Sequence, residues 1–575
     1  MTSLFDDTNW RNKNADVLQM LASATRPAEP SLEPHELPPT DEARRKFDRY
    51  LEGQHRQNPF ILRQDVEDLF TRVFPQDTVS QNILSQNISA HDLFRTFMIL
   101  AIGSLIPFRR GLSQSHPLGF YLAAMRHFES SFLARGLSAI QDLLLIWRFG
   151  IYHHIGTSVW DIVQLCMRMC IEQGLHGPPR THLYLLDEQL QRRVFWVCYV
   201  MDRYSSTTLD RPFAIADEDI TVRFPVDADD KDITSSFGFV PSLDDICPRH
   251  LLSPPSETTV LILCTKLRRI SSRIHLEFSH IARSPSSDLN GDKYLASGQV
   301  CTSVESFLDE LDQWRQSAPI FSQPRCLFER QEWYDLLQAR EALQLVRRAV
   351  DLAPKSGELP VRYILSLCLD HAIRVISMYT NMYNEGLATY TRSYFQMMFA
   401  AGLSVLFCVS VSAHIDLIDV SEAYDSLLRC EENLKAMAKV MPDSSPYVAV
   451  YEALHRYILE KLDSGESLGR PLGAMHQHMS GLSGVPPHAA GPWQMALPAM
   501  TIENADGVES LIGNQETLGA GIEAQGTSLE SNNLMGMDVS QWSFLTDDTW
   551  WRIGNYAYGD PSEIQGMFTG IDLQL

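Results

Sequence analysis

Almost nothing in this sequence alternates. From Glu42 to Asp463 apolar residues recur every three or four positions, and the best two-residue alternation, Ile220–Val226, is short. That period commits the region to helices packed on helices. Ser158–Glu172 sets Val159, Val163, Cys166 and Cys170 on one stripe, with Ile162, Leu165 and Met169 beside it, and Gly174 follows as a stop. Leu190–Tyr204 repeats the pattern with Val194, Val197, Met201 and three aromatics. Further helices are expected over Thr258–Ile281, Tyr334–Leu352, Val361–Tyr383, Tyr394–Ala413, Val420–Val440 and Pro446–Leu462. No repeat of fixed period suggests a solenoid. The expectation is an all-α fold: one large multi-helix domain over residues 42–463, with two lobes meeting near residues 225–257 as the alternative.

Composition separates two flanks from this domain. Residues 1–41 end in a Pro- and Glu-rich run and read as a disordered leader or linker. Residues 464–575 turn to Gly, Ser, Met, Gln and Asn, and carry an excess of acids over two basic residues, Arg470 and Arg552. They hold about half of the net charge of −23 and read as mostly disordered. The charge also constrains function. Phosphate recognition needs clustered Lys and Arg, whereas pairs such as Arg109–Arg110, Arg268–Arg269 and Arg347–Arg348 are scattered, so autonomous nucleic-acid binding is not expected. The acidic start, Met1–Asn14, lacks the pattern of a signal peptide. Phe97–Ile106 is too short to span a membrane, and Met397–Ala413 is interrupted by Ser404, Ser410 and Ser412, so both are expected to be core helices. The ten cysteines, single apart from Cys166 and Cys170, read as reduced thiols of a cytosolic or nuclear protein.

The segment Gln191–Pro225, QRRVFWVCYVMDRYSSTTLDRPFAIADEDITVRFP, is the most distinctive. Phe195, Trp196 and Tyr199 offer large apolar area for packing. Arg192, Arg193, Asp202 and Arg203 stand at helix-compatible spacing for partly buried charge pairs. Pro212 pushes Arg211 into extended backbone and should end the helix. Asp217, Glu218 and Asp219 then either face the arginines or cap a turn. The plain reading is a staple joining two helices and a loop; the sharper one is a site for a ligand or a partner.

On these residues the segment resembles the middle homology region of fungal binuclear zinc-cluster transcription factors. The matching positions are Arg192, Arg193, Phe195, Trp196, Asp202, Arg203, Arg211, Pro212, Phe213, Asp217, Asp219, Ile220 and Pro225; Asp210 stands where a glycine commonly precedes Arg-Pro. Phe47–Phe70 and several later helices resemble other parts of that region, in the expected order. The resemblance implies a transcription regulator of RNA polymerase II acting in the nucleus. Its partners would be transcription coactivators or a DNA-binding family member, as a homo- or heterodimer, with a small-molecule inducer as a further candidate. It also implies a DNA-binding module whose six cysteines share two zinc ions. No C-x2-C pair occurs here and the first cysteine is Cys166, so no zinc or DNA contact carries over to any residue of this chain, and no cofactor is expected in it. DNA targeting would then come from a partner or a missing zinc-cluster exon. Alternatives are a co-regulator or repressor paired with intact relatives, or a small-molecule-binding protein or enzyme reusing the fold.

Other chemistry finds less support. Cys166 and Cys170, with His153, His154 and His176 nearby, read as core packing rather than a metal site. The run Asp227, Asp229, Asp230 and Asp232 reads as a solvated loop rather than a magnesium site. No P-loop, dinucleotide fingerprint or nucleophile elbow occurs, so catalysis is not expected. In the tail, Trp542, Phe544, Leu545, Trp550, Trp551 and Phe568 are interleaved with acids, the composition of a segment that docks on coactivators. The same aromatics could instead fold back on the helical domain.

Overall fold

A computed structural model describes residues 32–75, 88–128, 136–153, 155, 158–180, 183–236, 242–246, 254–283, 292–352, 358–412 and 421–464. The leader up to residue 31 and the tail aromatics Trp542 to Phe568 lie outside the described residues. Among the described residues there are helices and loops and no strand, as the helical period requires.

The helices are α1 (Thr40–Arg49), α2 (Arg63–Val73), α3 (Ala90–Arg109), α4 (Pro117–Arg126), α5 (Leu137–Gly150), α6 (Val159–Glu172), α7 (Leu185–Leu209), α8 (Asp230–Ser235), α9 (Thr259–Arg283), α10 (Asp292–Gln316), α11 (Gln331–Leu352), α12 (Glu358–Asn384), α13 (Arg392–Ser412), α14 (Ser421–Val440) and α15 (Ser445–Ser464). Most pack on their sequence neighbours, and α1 on α3, α7 on α9 and α12 on α14 tie distant segments together. One contiguous apolar cluster runs from Ala43 to Ile458. A small satellite of Leu185, Ala228, Ile233 and Leu243 lies beneath the loops after α7.

Local chemistry sets the ends. Ser158 caps α6 by accepting the Asp161 N–H at 3.3 Å, and Gly174, at φ +75°, takes the left-handed turn beyond it. Ser89 caps α3 in the same way through Asp92 at 3.0 Å. Close packing constrains α3: a Cβ on Gly103 would stand 2.1 Å from the Lys46 carbonyl oxygen of α1. By length and composition α3 and Arg392–Ser410 of α13 could cross a membrane, but 67% and 89% of their apolar windows are buried in this fold. They are core helices here, because neighbours occupy the surface that lipid would take.

The central helix is α7. From Arg192 to Arg203 every residue is buried, so the helix is enclosed on all faces. Its charged side chains therefore have no route to water and need partners inside the protein.

Candidate functional site

The end of α7 explains the residue that departs from the pattern. Asp210 adopts φ 52°, ψ 40°, the one non-glycine residue at positive φ among the described residues. The N–H groups of Asp210 and Arg211 both return to the Ser206 carbonyl, closing the helix before proline is reached. The stop is thus made by a left-handed residue, with Pro212 following it, rather than by Pro212 alone. A glycine would occupy that conformation without the steric cost that Asp210 carries.

Beyond the stop, residues 213–230 turn back and run antiparallel along α7 as a strap. Asp202, at the C-terminal end, accepts the Ala214 N–H at 3.2 Å and the Gln164 amide at 2.7 Å. Arg203 donates to the Asp202 carboxylate at 2.6 Å, to the Ile215 carbonyl at 2.7 Å and to Asp217 at 3.0 Å. One to two turns earlier, Tyr199 donates to Asp217 at 2.8 Å and the Trp196 indole to the Arg223 carbonyl at 2.8 Å. Arg192 reaches the Phe224 carbonyl at 3.2 Å, Asp244 at 2.7 Å and Glu188 at 2.5 Å. Gln189 bonds both backbone groups of Val226, and Arg193 pairs with Asp230. Each of these buried cations thereby has a carboxylate, and several backbone groups a partner, although Arg192 Nε, Arg193 Nε and Nη1 and Arg203 Nε stay without an acceptor.

Electrostatics follow from this enclosure. The Arg203 guanidinium lies 4.3 Å from the Tyr199 ring centre and 4.3 Å from that of Phe213, a desolvated cation between two π faces. Burial pushes the Asp202 carboxyl above its ordinary range, opposed by Arg203, Gln164 and the Ala214 N–H. Burial acts on Asp217 in the same sense, but Arg203 and the hydroxyls of Ser272 and Tyr199 outweigh it and hold that carboxyl below its ordinary range. Ser272 belongs to α9, so Asp217 also fastens the strap to the next helix.

Of the residues singled out in the sequence, Arg192, Arg193, Trp196, Asp202, Arg203, Phe213 and Asp217 meet in this network. Phe195 packs edge-on against Trp196 in the core, and Arg211 stacks on Trp160 at 4.3 Å. Pro212 and Asp219 are exposed. The aspartate run corrects the expectation of a solvated loop. Asp227 accepts from Ser256 at 2.5 Å and Thr259 at 2.6 Å, Asp229 accepts the Glu257 N–H at 3.1 Å, and Asp230 pairs with the buried Arg193. Asp227 and Asp229 fix the strap to the start of α9 and the segment that leads into it, and Asp230 fixes it to α7, through partners about 30 residues away that local periodicity does not reveal. Cys166 and Cys170 face Cys198 of α7, whose thiol burial pushes up strongly, favouring neutral thiols over metal-binding thiolates.

A neighbouring face of α7 does something else. Val200, Met201 and Tyr204 border a partly open cavity of about 460 Å³ lined also by residues of α1, α3, α5, α9, α11 and α13. Where α1 reaches it, the backbone widens into a π-helical turn over Tyr50–Gln54, a geometry frequent at functional sites. Sequence reasoning missed this cavity, since its lining comes from segments spread between Arg49 and Tyr394.

Residues 47–316 match the family described as "Fungal specific transcription factor domain", a span that holds the strap. The chain is 23% identical to the "Positive regulator of purine utilization" of Emericella nidulans, over 74% of this chain and 47% of that protein. It is 33% identical to "Protein STB5" of Saccharomyces cerevisiae over 23% of this chain and 19% of the relative. To "Pyrimidine pathway regulatory protein 1" of the same yeast it is 28% identical, over 35% and 21%. The match thus spans less than half the length of each of these relatives. No solved structure matches the chain.

Proposed function

From a chain that carries a fungal specific transcription factor domain over residues 47–316, we propose a regulator of transcription by RNA polymerase II that acts in the nucleus. The observation that supports this most is the strap: the residues of the family-like segment form one network on the central helix, inside the matched span. In this reading the helical domain of residues 42–463 governs an acidic activation segment in residues 464–575, which engages transcription coactivators. DNA targeting is supplied by a DNA-binding partner, or by a zinc-cluster segment encoded outside these 575 residues. The role requires no catalytic step by this chain.

The test fuses residues 464–575, and separately residues 42–575, to a heterologous DNA-binding domain upstream of a reporter. The reading expects activation from the tail alone and weaker, conditional activation when the helical domain is attached. A silent tail removes the activator reading. Equal activity of both fusions removes the regulatory role of the helical domain.

A further inference from the structure

Seven arginines and one glutamate, with no aspartate, lysine or histidine, line the cavity beside α7, in a chain whose net charge is −23. Two of these arginines lie deep inside. Arg148, near the end of α5, is 4% exposed, and Arg340, in the middle of α11, is 5% exposed. Arg340 reaches the Ser393 hydroxyl at 3.4 Å and lies over the Tyr204 ring at 4.2 Å. Arg148 lies within 6 Å of the Tyr152 and Phe328 ring centres, and the Asn58 amide oxygen, in its hydrogen-bonded orientation, stands 3.2 Å from it. Neither guanidinium meets a carboxylate among the described residues. Arg268, on the same cavity, shows the contrast: it pairs with Glu341 at 2.9 Å.

A buried guanidinium cannot shed its proton to escape the cost of burial, so it calls for an anion. Hydrogen bonding adds to the demand. Arg148 Nε, Arg340 Nε and Nη2 and the Trp147 indole N–H are buried without an acceptor; the strap arginines also keep nitrogens without one, so the missing carboxylate is what sets Arg148 and Arg340 apart. The remaining wall is apolar and aromatic, including Tyr152, Phe328, Trp333 and Tyr394. A cavity of about 460 Å³ is within the range that holds a small organic molecule.

We propose that this cavity binds a small organic carboxylate with an apolar, ring-sized body, with Arg148 and Arg340 as its anion receptors. The inference deepens the regulatory reading by naming a class of effector, and rests on that reading only for the consequence of binding.

The experiment uses the purified full chain, with benzoate, 1-naphthoate and octanoate compared with their neutral amides by calorimetry and thermal melting. At least one carboxylate should raise the melting temperature and bind at least about tenfold tighter than its amide, as a charge-assisted pair replaces a neutral one. Arg148→Met and Arg340→Met should each cut that preference, while both ligand-free variants melt no lower than wild type. Arg273→Gln, at an exposed position, should keep the preference and controls for general charge loss. Equal binding of acids and amides, no binding by any of the three acids at millimolar concentration, or a preference that survives both methionine variants overturns the proposal. If a carboxylate binds by these criteria but the reporter fusions do not respond to it, the site stands and its regulatory consequence fails.

Discussion

Two faces of α7 handle buried charge in opposite ways. Along the strap, Arg192, Arg193 and Arg203 each reach at least one carboxylate. Around the cavity, Arg148 and Arg340 lie equally deep and reach none among the described residues. The same cost of burying a cation is met internally on one face and left standing on the other. The difference separates a fastening from a receptor. A fastening holds its own counter-charges, whereas a receptor for an anion is least compensated when empty.

Substitutions on the two faces should differ in size and sign. The largest effect is expected at Arg203→Met, which takes their shared cation from the buried Asp202 and the half-buried Asp217. It should cost about 3–5 kcal/mol in chemical denaturation, the usual penalty for removing one member of a buried pair. A loss under about 1 kcal/mol would mean that the strap is not a fastening. Asp217→Asn should cost less, about 1–3 kcal/mol near neutral pH, through its bonds to Arg203, Tyr199 and Ser272. Its pH dependence has a definite sign. Because the folded carboxyl is held below its ordinary value, its contribution is complete above about pH 4 and is lost as pH falls through the folded value. The gap between wild type and Asp217→Asn should therefore narrow between pH 7 and pH 3, measured by urea unfolding at each pH.

The smallest effect is expected at Asp210→Gly. It removes left-handed strain and also an exposed contact with Arg348 at 3.3 Å. The net should be a gain of up to about 1 kcal/mol, seen as a higher melting temperature. A drop would show that the contacts of Asp210 with Arg348 and His275, together with the added freedom of an unfolded glycine, outweigh the strain.

How much of this was legible follows from the range of each interaction. The helices were legible, because a stripe such as Val159, Val163, Cys166 and Cys170 is a local pattern and Ser158 and Gly174 mark its ends. The charged residues of α7 were legible as partners, since Asp202 and Arg203 adjoin and Asp217 follows a proline turn. Their geometry was not, because the strap is defined by a chain reversal and by Ser272 of a later helix. The aspartate run was misread for the same reason: composition makes it a surface loop, while Arg193, Ser256 and Thr259 make it an anchor. Arg148 and Arg340 gave no signal at all. A lone arginine in an apolar helix looks like a solvated or paired residue, and only tertiary packing shows that no carboxylate arrives.

The most direct test compares the ligand-free melting temperatures of Arg203→Met and Arg340→Met in the purified chain. Opposite signs are expected: Arg203→Met melts well below wild type, and Arg340→Met melts at or above it, because a methionine removes an uncompensated charge while keeping much of the side chain's volume. If Arg340→Met falls as far as Arg203→Met, Arg340 is a structural residue like its counterpart on the strap, and the distinction between fastening and receptor is wrong.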